Sequence, residues 1–332
     1  MKLTTTLTAT LTAAVIAVLS TIVTPSLASA QGGARYALVV QGASGEEQYA
    51  VLHRKWVDSL VGTFRDRFKY DAAHLIVLAE KPGAGEERAT AESVRGTLAR
   101  LAKTMTASDQ LVIVLIGHGS GQGSDLKFNL IGPDLSVAEW ATALSGVPGR
   151  LAIVNTASAS FPFIEALAAP GRVVITATNT SAQRFHTVFP EGFVEALSSD
   201  VADVDKDSRI SLLEAFTYAS RRVAEHYERT GTMATETPAI DDDGDGKPRT
   251  GTATGPDGKI AALTYLDAAV VVTSADPETQ KLLVRQQTLT EQVDDLRRRQ
   301  GTMPAAEYEA QLEKLLTELA LVSRDIRQKT GK

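Results

Sequence analysis

The chain has 332 residues, 22% of them charged and 43% hydrophobic, and contains no cysteine. That length and apolar share supply a large buried core and exclude a wholly disordered chain. With 34 basic residues against 40 acidic ones and a net charge of −6, the chain has no general electrostatic footprint for nucleic acid, and without cysteine it has no disulfide, thiolate–zinc site or cysteine nucleophile.

The first thirty residues carry a targeting pattern. After Lys2 no charge appears before Arg35, and residues 11–23 (LTAAVIAVLSTIV) form an apolar run too short to span a bilayer comfortably. Ala28-Ser29-Ala30 supplies a small-residue cleavage pattern, so the expectation is a signal peptide over 1–30 and a mature start near Gln31. The mature protein is then exported, periplasmic or secreted, with no stable membrane span.

Residues 36–41 (YALVVQ), 74–79 (HLIVLA), 110–116 (QLVIVLI), 151–155 (LAIVN) and 172–176 (RVVIT) read as strands apolar on both faces, the pattern of a covered parallel sheet. Between them, 46–68, 91–104, 137–144 and 161–167 read as amphipathic helices. Strand–helix alternation predicts an α/β fold: a mostly parallel open sheet with helices on both faces. Ligands in such sheets gather at the carboxyl edge.

Two strand ends carry chemistry. The third strand runs into Gly117-His118-Gly119-Ser120, and the fourth into Asn155-Thr156-Ala157-Ser158-Ala159-Ser160. An imidazole can serve as general base near working pH, and a hydroxyl on the adjacent strand end completes a possible nucleophile–base pair. LVIVLIGHGS and LAIVNTASAS together resemble the two catalytic blocks of the legumain and caspase-like cysteine peptidases, closest to the legumain branch. The resemblance places His118 at the catalytic histidine and Ser158 at the nucleophilic cysteine. Residues 36–49 resemble the opening strand and glycine turn of that branch, 132–144 its helix between the blocks and 172–178 its following strand. In all, residues 35–190 are covered.

The departures bear on activity. Ser158 stands where a thiolate is needed. Ser44 falls on the Asn that orients the histidine, and Ala50 falls on the substrate-reading Arg, with Arg54 close by as the other candidate. A serine must lose its proton to a well-oriented base during attack, and losing the nucleophile of an integrated triad costs about six orders of magnitude in rate. The first reading is therefore a degenerate, non-catalytic peptidase homologue that binds a peptide or protein partner. An alternative is a serine-dependent peptidase or hydrolase with Ser158 as nucleophile, His118 as base and, as the resemblance implies, the N–H groups of Gly119 and Ser158 as oxyanion hole.

Beyond the sheet, Asp203, Asp205, Asp207, Arg209 (through its carbonyl), Ser211 and Glu214 reproduce the ligand spacing of an EF-hand-like Ca2+ loop. Ser208 occupies the position usually held by Gly. Asp241-Asp242-Asp243-Gly244-Asp245-Gly246 repeats the first half of the pattern but reaches Thr252 where the bidentate Glu belongs. A partial cation loop and an exposed acidic turn both remain open there. The exit helix is expected over 211–229, and a further strand or packed segment over 267–273.

Residues 277–300 and 305–328 change character, being rich in Gln, Glu, Arg and Leu. Tyr308, Leu312, Leu315, Leu319, Val322 and Ile326 follow coiled-coil spacing, and Leu282, Leu289, Val293 and Leu296 form a weaker stripe. Gly301 to Pro304 break the pattern, so a helical hairpin is predicted. Three segments follow: signal peptide 1–30, α/β domain 31–275 and hairpin 276–332. A homodimer through the hairpin, and an assembly protein that works through it, are the remaining partner expectations.

Overall fold

The computed structural model describes residues 33–121, 125–268, 274 and 276–330. Five long runs of β-branched and aliphatic residues form the centre of an eight-stranded sheet: β1 (Arg35–Gln41), β2 (Leu75–Ala79), β4 (Gln110–Ile116), β8 (Arg150–Asn155) and β9 (Val173–Thr176). Two-residue β3 (Glu87–Arg88) closes one edge. Three-residue β10 (Ala239–Asp241) and two-residue β11 (Arg249–Thr250) close the other. The order is β11-β10-β9-β8-β4-β1-β2-β3. Six strands, β1 to β4, β8 and β9 without the small-sheet members, run parallel where they pair, whereas β10 and β11 are antiparallel. A small antiparallel sheet of β5 (Gly119–Ser120), β6 (Lys127–Phe128) and β7 (Leu135–Ser136) grows from the end of β4.

Alternation along β4 explains the layers. Val112, Val114 and Ile116 face one core with α1 (Glu47–Gly62), α5 (Phe189–Ser198) and α6 (Leu212–Thr230). Leu111, Ile113 and Leu115 face the other core with α2 (Ala91–Thr104), α3 (Val137–Leu144) and α4 (Pro162–Leu167). Successive side chains of a strand point to opposite faces, so a run buried throughout needs cover on both. Each such side chain contributes roughly 1.5–3 kcal/mol on burial.

The α1 helix stops earlier than its apolar spacing predicts. Gly62 weakens the α-helical continuation, Thr63 Oγ1 takes the Ser59 carbonyl, and Thr63–Arg67 form a wider π turn. That turn sends Phe64 and Phe68 into an edge-packed cluster with Tyr70. The α5 helix carries Gly192 in its middle, where a Cβ would lie 3.0 Å from Ala219 Cα of α6. The glycine allows this close helix approach and masks the helical signal in the sequence.

The hairpin forms as α7 (Pro277–Arg298) and α8 (Ala305–Thr330), separated by a short turn at Gln300–Thr302. Asp276 caps α7 by accepting from the Thr279 amide, with Pro277 at the first helical position. Leu289, Val293 and Leu296 are buried, and Arg298 donates to the Leu263 carbonyl at 3.0 Å, joining α7 to the body. On α8 the six seam residues are only half-buried. Of the segment expected at 267–273, residues 269–273 lie outside the described residues. No helix among the described residues is long and apolar enough to cross a membrane.

Candidate functional site

Because β1, β4 and β8 are consecutive and in register (Val40 beside Leu115, Leu115 beside Asn155), the loops after them emerge side by side at the carboxyl edge. They deliver Ser44, His118 and Ser158. The turn after β8 begins with the Asn155 side chain accepting from the Ala157 amide and continues into Ala159 at φ +51, a left-handed conformation uncommon for a residue with a side chain. The Ala159 amide is tied to the Gln183 carbonyl at 2.7 Å. This sharp turn directs Ser158 inward, where it is 2% exposed.

Ser158 and His118 share an edge but no hydrogen bond. Ser158 Oγ accepts from the Gly119 amide at 3.3 Å and donates to the Gly119 carbonyl at 3.4 Å. A Cβ at position 119 would sit 2.2 Å from the Ser158 carbonyl oxygen, so only glycine permits this approach. The Gly119 amide expected in an oxyanion hole is occupied by the serine hydroxyl. Burial holds His118 below the ordinary imidazole range, opposed by the Ser44 backbone and by Glu46.

His118 belongs to a different group. His53 from α1 and His186 from the loop before α5 join it, each offering a ring nitrogen within 4.8 Å of the others. His53 is 1% exposed, and His118 and His186 are half-buried. Burial first, then the neighbouring imidazoles, push His53 down to about 3; burial and His118 push His186 down to about 4. Ser44 Oγ lies 3.1 Å from His53 Nδ1, so the residue at the expected orienting position supports a second histidine with its side chain. Trp56 lies nearly parallel to His186 at 6.1 Å, and Tyr49 meets His118 edge-on at 4.9 Å. Sequence reading missed His53 and His186. His53 sits on the inward face of α1 with Trp56, Val57 and Leu60, where it reads as an ordinary core position.

Beside this edge runs a groove of about 510 Å³ lined by residues that include Gln41, Ala50, Arg54 and Glu80. Both candidates for the substrate-reading position therefore face one groove. Arg54 is already clamped by two bonds to Glu86 (2.7 and 2.8 Å) and one to Asp58. Gln41 Oε1 and Glu80 Oε2 are buried acceptors without a hydrogen-bond partner among the described residues.

In the 203–214 loop, carboxylate oxygens of Asp203, Asp205 and Glu214 converge within 4.8 Å of one another. Ser208 and Lys206 adopt positive φ, +69 and +59, and the Ser208 amide donates to Asp203 Oδ2 at 3.0 Å. Asp203 Oδ1 has no partner among the described residues. Asp207 and Ser211, two other predicted ligands, make contacts of their own, whereas Arg209, expected to ligate through its carbonyl, uses only its side chain elsewhere. Asp207 accepts from Tyr265 Oη, and the Arg209 side chain turns away to Asp267 and stacks on Tyr265. The Ser211 hydroxyl caps α6 in a reciprocal box with Glu214. Further on, Asp241 and Asp243 converge with Asp257, a residue outside the expected pattern.

No family model matches the sequence, and no curated protein matches it. Among solved structures, a Geobacter sulfurreducens protein is similar over 67% of this chain and 95% of its own, at 13% identity and a TM-score of 0.41. The Drosophila initiator caspase Dronc is similar over 64% of this chain and 81% of its own, at 14% identity and a TM-score of 0.41. Likeness at that level carries no functional argument.

Proposed function

We propose that the chain is an exported, non-catalytic relative of the legumain and caspase-like peptidases that binds a peptide or protein partner at the carboxyl edge of its sheet. The observation that supports this reading is the commitment of Ser158 Oγ to the Gly119 backbone, with no hydrogen bond to His118. A serine without a base in contact is a poor nucleophile at neutral pH. The neighbouring groove of about 510 Å³, lined by residues that include Ala50 and Arg54, supplies the place for that partner.

A fluorophosphonate probe tests the catalytic side. The expected result is no labelling of Ser158 in the folded mature protein. Labelling that disappears in His118→Ala protein would instead establish the serine hydrolase. For the binding side, panning a random peptide library on the mature protein should enrich ligands that Ala50→Trp, which fills the groove, no longer holds. Enrichment unaffected by that variant would move the site elsewhere.

Two further assignments accompany this reading. Ca2+ occupies the 203–214 loop through Asp203, Asp205 and Glu214, with the Arg209 carbonyl and solvent completing the oxygen shell. A second copy of the chain docks on the half-buried seam of α8. Light scattering on the mature protein against a chain ending at residue 275 should show a dimer that the shorter chain loses.

A further inference from the structure

We infer that His53, His118 and His186 form a binding site for one divalent transition-metal ion of the zinc class, at the edge where the resemblance would place a catalytic dyad. The inference goes beyond the non-catalytic reading and does not depend on it, because metal uptake is measured with no peptide present.

Three observations carry it. First, the convergence is tertiary: a helix, a strand end and a loop each supply one imidazole, and a nitrogen of each lies within 4.8 Å of the other two. Tetrahedral Zn–N bonds of about 2.0–2.1 Å set ligand nitrogens about 3.3 Å apart. A triangle of 4.8 Å sides closes to that size when each nitrogen moves inward by less than about 1 Å, within reach of small ring rotations.

Second, the donor set is selective. Three imidazoles with no thiolate and no carboxylate in the group suit Zn2+, Co2+, Ni2+ or Cu2+ rather than the hard cations expected in the acidic loops. Three protein ligands also leave a fourth position for water or an acidic group of a partner.

Third, the surroundings hold the rings in place. Ser44 Oγ contacts His53 Nδ1 at 3.1 Å, as the outer-shell partners of metal-bound histidines do. Trp56 lies within 6° of parallel to His186, and Tyr49 packs against both His118 and His186. Without an ion, His53 buries a polar ring at 1% exposure whose only hydrogen-bonded side-chain partner among the described residues is Ser44. An ion shared by the three rings adds a partner to an imidazole that Ser44 already orients.

The experiment uses metal-stripped mature protein in excess Ca2+, which occupies the oxygen loops. Co2+ is titrated while its visible d–d bands are recorded, and Zn2+ is titrated by calorimetry. The expected result is one equivalent of either ion, with the intense bands of tetrahedral Co2+. His118→Gln and His186→Gln should each weaken binding by about 100-fold or more. Because His186 sits half-buried in a loop, His186→Gln protein with an unchanged circular-dichroism spectrum decides the matter if His118→Gln does not fold. Absence of stoichiometric uptake, octahedral Co2+ bands, or undiminished binding in folded His186→Gln protein would overturn the assignment.

Discussion

The loop 203–214 lies at the surface, with Asp205 exposed and Asp203 half-buried, whereas the segment from Glu236 to Asp257 contains carboxylates that are almost inaccessible. Glu236 is 1% exposed, Asp241 0%, Asp242 1% and Asp257 2%. In the first loop carboxylate oxygens of Asp203, Asp205 and Glu214 converge, and each residue also accepts from an exposed or half-buried loop amide: Ser208, Asp207 and Val204 in turn. In the second segment they serve backbone amides: Asp242 accepts from Gly258, Ile260 and Ala261, Asp257 from Asp242 and Arg249, and Glu236 from Val188 and Phe189. Both regions bring three carboxylates together; what differs is burial, which makes the second set's bonds to amides substitute for missing secondary-structure partners.

The sharpest test of this contrast is removal of one acid from each region. Asp242→Ala strands three amides, two of them in fully buried bonds, and should cost about 3 kcal/mol or more of unfolding free energy in urea. Asp205→Ala, measured with chelator present, should change it by less than about 0.5 kcal/mol. Equal effects would erase the distinction.

Glu236 gives a pH signature. Burial pushes its carboxyl up to about 7 from an ordinary value of 4.5, with the Val188 and Phe189 amides opposing. A raised folded value means that the native state holds the proton more tightly. Its contribution is therefore fully present below about pH 4.5 and is lost as pH rises through about 7, by up to about 3 kcal/mol. Denaturation curves of Glu236→Gln protein should lack this decline between the two pH values.

Calcium bound at the 203–214 loop should stabilise the fold. At a hundred times Kd it adds about 2.7 kcal/mol, visible as a rise in Tm. Glu214→Gln, which keeps an acceptor for the helix cap, should remove most of that rise. The smallest effect is expected from Ser208→Gly, which relieves the left-handed strain at φ +69 and should stabilise the protein by about 0.5–1 kcal/mol while tightening Ca2+ binding.

The sheet's centre was legible because five fully apolar runs admit few other placements, and β4 and α2 occur with the predicted ends. The calcium-like loop was legible for another reason: its carboxylates lie within twelve consecutive residues. What escaped was assembled across the chain. His53 and His186 meet His118 only through the packing of α1 and the loop before α5 on the sheet. Asp257 joins Asp241 only after the chain has turned through β11. Short strands such as β10 carry too few residues for a periodic signal. The expected pairing of His118 with Ser158 followed from their strand ends, but the Gly119 backbone captures the hydroxyl first.

The terminal strands of the sheet limit how this molecule meets others. At one border Glu87 and Arg88 are both exposed and charged, and the strand they form is two residues long. At the other border β11 is equally short, its Arg249 amide is taken by Asp257, and the chain leaves through Gly251 at φ +54. Stubs of this kind offer no ladder of free amides and carbonyls, and border charges discourage another strand from aligning there. Neither border therefore templates a ninth strand, and copies of the protein are protected from sheet-to-sheet fusion when crowded.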